Sequence, residues 1–148
     1  MTIELQVQRA TASEQLPADS QFQRWVRAAL AECADAVLTI RIVDREESRQ
    51  LNARYRGQDK ATNVLSFPAD LPAEIDLPLL GDIVICAPLV AAEADAQGKS
   101  VEAHWAHLTI HGVLHLLGHD HQQPEEAKAM ESLEVSLLES LGIGSPYR

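Results

Sequence analysis

Residues 104–121 read H-W-A-H-L-T-I-H-G-V-L-H-L-L-G-H-D-H and contain all six histidines of the 148-residue chain. Trp105, Leu108, Ile110, Val113, Leu114, Leu116 and Leu117 leave almost no polar face between them. The segment therefore predicts a helix, from about Val101 to Leu117, at the centre of the molecule. Within it His111 and His115 stand at i and i+4, so both rings leave the helix on one side. Gly118 can take positive φ and fold the backbone back, which lets His121 approach the same point. The H-x3-H-x5-H spacing of His111, His115 and His121 is that of a three-ligand metal site. Three imidazoles leave a fourth position open, which points to chemistry rather than to structure alone. Three unpartnered rings on a buried helix would each cost about 1–3 kcal/mol, which favours a shared ion.

The same stretch overlays the metalloprotease pattern H-E-x-x-H-x-x-G-x-x-H, with Gly112 where those enzymes carry the glutamate that activates water. The absent base argues against peptide hydrolysis by that route. Met130, the only internal methionine, falls in a helical pattern and reads as core. Asp120 is a candidate to accept the free N–H of a ligating imidazole, and His119 beside it is a candidate to support the site or face substrate. His104 and His107 read as hydrogen-bonded helix histidines.

Working outward, Ile3–Gln8 alternates with period two and Val37–Val43 is a second, more apolar strand. A helix capped by Ser20 separates them, with Phe22, Trp25, Val26, Ala29 and Leu30 at helical spacing. Asp44, with Glu47 three residues on, predicts a capping box opening a helix that ends near Gly57. Thr62–Phe67 is a third strand stopped by Pro68, a proline-bearing loop follows, and Gly81–Cys86 is a fourth strand. Pro88 opens a helix closed by Gly98, and a last helix runs from Pro124 to Leu141. The expected class is α/β (α+β): a four-stranded mixed sheet covered by about five helices around the central histidine helix.

The length predicts one domain over residues 1–148. No apolar run is long enough to span a bilayer, and the N-terminus lacks the features of a signal peptide, so a cytoplasmic protein with no membrane partner is expected. Cys33 and Cys86 form no C-x-x-C pair and read as ordinary buried thiols. The net charge of −10 is unevenly spread. Residues 41–60 hold six basic residues (Arg41, Arg45, Arg49, Arg54, Arg56, Lys60) against four acidic ones. That segment can form a local positive surface on an acidic protein, although Arg49 is expected to pair with helix carboxylates.

Two stretches together resemble the bacterial YbeY endoribonucleases, or rRNA maturation factors: L51-N-A-R-Y-R-G-Q-D-K-A-T-N-V-L-S-F-P68, and the histidine segment preceded by L80-G-D-I-V-I. Their order and the elements around them extend the resemblance over about residues 37–141. It implies a metal-dependent, single-strand-selective endoribonuclease acting in maturation of the 3′ end of small-subunit (16S) rRNA and in ribosome quality control. It also implies His111, His115 and His121 as metal ligands and Arg56 as the functionally important arginine. This sequence departs from some relatives at His119, where a tyrosine can stand, and at Ala61, where some have proline. One Zn(2+) per chain is the expected cofactor, with nickel or another divalent metal equally acceptable to imidazole. The expected partners are single-stranded precursor rRNA, the small ribosomal subunit and its assembly factors, and not DNA. Arg56 can hold two phosphate oxygens at once, which lysine cannot do with the same geometry. Thr62, Asn63 and Ser66 can line the cleft. A zinc metalloprotease-like hydrolase, and a non-catalytic ribosome-assembly factor with a structural metal, remain as alternatives.

Overall fold

The computed structural model describes every residue except Met1, Ala34, Ala73, Asp76, His121 and Arg148. Four strands, β1 (Thr2–Ala10), β2 (Asp35–Val43), β3 (Val64–Pro68) and β4 (Leu79–Cys86), make a sheet in the order β1-β2-β4-β3. β1, β2 and β4 run parallel and β3 antiparallel to β4. Among the described residues there are five helices: α1 (Asp19–Ala29), α2 (Arg45–Arg56), α3 (Ala87–Gln97), α4 (Val101–Leu116) and α5 (Pro124–Ser140). The mixed sheet and the helix count are those expected from the sequence.

The period-two alternation of the strands divides the core between two faces. Leu38, Ile40, Ile42, Ile83 and Ile85 join Phe22, Trp25, Trp105, Ile110, Leu114, Met130 and Leu138 in the large cluster around α4. Val43, Val84 and Cys86 point the other way and meet Leu65, Leu51 and Leu89 in a smaller one. The histidine helix is thus central and buried, touching the sheet together with α1, α3 and α5. None of these helices is long and apolar enough to cross a membrane, among the described residues.

Three local readings are corrected. α1 begins at Asp19, one residue before Ser20, and its opening N–H, on Ala18, donates to the Gln21 side chain at 2.8 Å. Asp44 does precede α2, but its carboxylate accepts from the Thr11 hydroxyl and the Ala12 N–H instead of capping the helix. Glu47 pairs with Arg41 instead of closing a capping box. Both carboxylates are taken by partners outside the helix that a local motif does not contain, Thr11 and Ala12 just after β1 and Arg41 of β2. Cys33 is only half-buried, while Cys86 is fully inside, and both are free thiols.

The end of β3 pairs Pro68 with Gly81. Gly81 has φ +136°, and a Cβ there would lie 2.2 Å from the Phe67 carbonyl oxygen, so only glycine fits this approach of β4 to β3. The pairing keeps β3, with its cleft residues, at the edge of the sheet beside α4.

Candidate metal centre

α4 starts cleanly because Ser100 Oγ accepts the Ala103 N–H at 3.1 Å. It stops because Gly118 takes φ +98°. The Gly118 N–H donates to the His115 carbonyl at 3.0 Å and the His119 N–H to the Leu114 carbonyl at 3.0 Å, which satisfies the last carbonyls and turns the chain back. The turn expected at Gly118 is therefore present. His121, the third expected ligand, lies outside the described residues.

His111 and His115 leave α4 on one side, with their Nε2 atoms 3.1 Å apart. Two imidazole nitrogens bound to one tetrahedral ion at about 2.0–2.1 Å lie a little over 3 Å from each other, so this pair fits a metal ion as it stands. Both rings open on a cleft of about 650 Å³, whose other wall carries Arg56, Asn63 and Ser66; Gly118, His119 and Asp120 form its rim. The cleft so brings together every described residue that the sequence proposed for the site.

The opposite wall is held from behind. Arg56 is the last residue of α2, and its Nη2 donates to the Ser66 carbonyl at 2.8 Å while the guanidinium lies 5.5 Å from the Phe67 ring centroid. Among the described residues no carboxylate pairs with it. Ser66 Oγ donates to the Gly112 carbonyl at 3.1 Å, fastening β3 to the histidine helix. Asn63 donates to Glu93 at 3.0 Å and accepts the Val64 N–H at 2.7 Å. The loop between α2 and β3 is clamped by two buried residues of α2. Ser48 exchanges hydrogen bonds with both backbone groups of Thr62 at 2.9 Å, and Asn52 donates to the Lys60 carbonyl at 2.8 Å.

Gly112 faces the sheet and not the cleft. A Cβ at this position would come within 2.9 Å of Ile83 Cγ2, so the glutamate of the metalloprotease pattern has no room here.

A residue missed in the sequence stands behind the histidines. Glu134 of α5 is fully buried, and its carboxylate meets His111 Nδ1, the Tyr147 hydroxyl and His107 Nε2, the last at 3.4 Å. Burial pushes this carboxyl up, but the hydrogen bonds from His107, His111 and Tyr147 outweigh it and hold the group down at about 2. Its signal in the sequence is the i, i+4 series Met130, Glu134, Leu138, which puts a carboxylate in the middle of the buried stripe of α5. His107, His111 and Glu134 each bring one ligand atom within 4.8 Å of the others, so this group too can hold a metal ion.

His104 is buried, and its Nε2 bonds Glu93 at 2.8 Å. Burial pushes its pKa below the ordinary histidine value despite the carboxylate, so His104 is the hydrogen-bonded helix histidine the sequence suggested.

The solution structure of TM1509 from Thermotoga maritima is similar over 93% of this chain and 91% of that one, with 23% identity and a TM-score of 0.57. That likeness places the fold. The model of the endoribonuclease YbeY family matches residues 6–142, a span that holds the arginine wall, the histidine helix and Glu134. On that match the chain belongs to the YbeY endoribonuclease family.

Proposed function

We propose that the chain, acting as one domain over residues 1–148, is a metal-dependent endoribonuclease that cuts single-stranded RNA. Its proposed substrate is precursor small-subunit (16S) rRNA near the 3′ end, with the small subunit and its assembly factors as partners in the cytoplasm. One observation carries this reading: the Arg56 guanidinium and the paired Nε2 atoms of His111 and His115 face each other across one cleft. His111 and His115, with His121, would hold the ion. When bound, zinc or another divalent metal supplies a water ionised near pH 7 or a polarised phosphoryl oxygen.

The remaining chemistry belongs to the chain. Arg56 presents a planar fork to the non-bridging oxygens of a phosphodiester and offsets the charge that grows there as the bond breaks. Its tie to the Ser66 carbonyl and its contact with Phe67 keep that fork in place before substrate arrives. The preference for single strands would follow from flexibility, because an unpaired strand can splay its bases and bend its backbone into the cleft.

The test is cleavage of a single-stranded RNA covering the 3′ end of precursor small-subunit rRNA by wild type, His115→Ala and Arg56→Lys, all purified identically. His115→Ala is expected to abolish cleavage. Arg56→Lys is expected to lower kcat by about 10²-fold, as loss of a transition-state donor does. Equal cleavage by wild type and His115→Ala would refute the metal-dependent nuclease.

A further inference from the structure

The cleft uses one side of His111, and the other side is occupied by a cluster to which the proposed cleavage has so far assigned no task. Glu134 Oε1 meets His111 Nδ1, and Oε2 is shared between the Tyr147 hydroxyl and His107 Nε2. His107 Nε2 and the Tyr147 hydroxyl lie 3.3 Å apart, with the two rings edge to face at 5.5 Å. An ionised carboxylate can only accept hydrogen bonds. His111 therefore keeps its proton on Nδ1 and presents the Nε2 lone pair towards His115. A carboxylate in this relation to a ligating imidazole fixes its tautomer and ring orientation and raises its basicity.

Tyr147 comes from the segment after α5 and lies beyond residues 6–142, the span matched by the family. Its hydroxyl can only be a donor towards Glu134, so it secures the second carboxylate oxygen and with it the plane in which the first meets His111.

We propose that Glu134 is the positioning residue of the metal centre, holding His111 in its metal-binding tautomer, and that Tyr147 braces Glu134 and so tunes metal affinity from the C-terminal segment. This rests on His111 and His115 being ligands. Direct coordination by His107, His111 and Glu134 is the competing arrangement. It would put the ion on the Nδ1 side of His111, away from the His115 ring that faces Nε2.

The full chain, stripped of metal, would be titrated with Zn(2+) against a chromophoric chelator, with circular dichroism to establish that each variant is folded. His115→Ala is expected to lose tight binding. Glu134→Gln should weaken Zn(2+) binding by about 10–100-fold, Tyr147→Phe by several-fold, and His107→Ala by less than Glu134→Gln. Two-bond 1H–15N correlation spectra of the metal-free protein should show His111 protonated at Nδ1 in wild type and a mixture of tautomers in Glu134→Gln, a change that a purely structural role would not produce. Loss of binding in His115→Ala with wild-type affinity in Glu134→Gln would overturn the support and leave the ligands standing. Abolished binding in His107→Ala and Glu134→Gln with none lost in His115→Ala would overturn both. Weakened Glu134→Gln with unchanged Tyr147→Phe would overturn the bracing by the C-terminal segment.

Discussion

His104 shows how one helix keeps chemically identical side chains in different states. Its ring is sealed from water, Nε2 is bonded to Glu93, and Nδ1 has no hydrogen-bond partner among the described residues. Burial pushes its pKa below the ordinary value near 6.5, so protons bind the unfolded chain more readily than the folded one in that interval. The stability His104 contributes is complete above about pH 6.5 and is lost as pH falls from there to the lowered value of the folded state. Urea melts at pH 7 and pH 5.5 should show a drop in stability that His104→Gln reduces; an unchanged drop in the variant would exclude His104 as its source. About two and three turns further along the same helix, His111 and His115 face the cleft, and there the i, i+4 spacing was enough to read the pairing from sequence. Glu134 was not legible in the same way. The residue that completes the environment of His111 is 23 positions away, and the apolar stripe that would have exposed it was read only as a helix.

At the scale of elements, the approach of α4 to β4 is set by the missing side chain of Gly112, which lets the helix rest on Ile83. Gly112→Ala should therefore lower stability, because about 1–3 kcal/mol of overpacking against a buried branched side chain exceeds the roughly 1 kcal/mol that alanine gains in a helix. A urea midpoint that falls by an amount equivalent to about 1 kcal/mol, with unchanged m, would bear this out, and a raised midpoint would contradict it. Gly112 was legible as the absence of a protease base; that it is also a packing contact depends on the sheet. Most strands and helices were legible because each keeps one period along its length, as in Val37–Val43 and Phe22–Leu30. Their starts were less so. Ser20 and Glu47 have the chemistry of caps, but Gln21 takes the first task and Arg41 draws Glu47 away. Likewise Ser48 and Asn52 bind the loop at Lys60 and Thr62, contacts for which no short motif stands.

Across the whole molecule, an acidic chain of an endoribonuclease family offers a polyanion only a few well-placed positive charges. Of the six basic residues between 41 and 60, Arg41 is paired with Glu47 and Arg49 with Asp59, so the positive surface is narrower than the count suggests. If Arg56 and one or two neighbours carry the phosphate contacts, the logarithm of RNA affinity should fall with the logarithm of salt with a slope of only about −1.4 to −2.1. A slope steeper than about −4 would require a broad basic face and contradict this. The sheet order has a consequence for how the cleft is lost. β2 pairs in parallel with β4, Ile40 beside Ile83, and α2 and β3 are spooled out between them. The arginine wall is thus a closed loop whose ends are joined at the centre of the sheet, while the histidine wall rests on that same centre through Ile83. Both walls are thus anchored to the central pair, and neither has a fixed place before it forms. Competence for the reaction should therefore appear late and in one step during refolding, and vanish with global unfolding instead of eroding through partly open states.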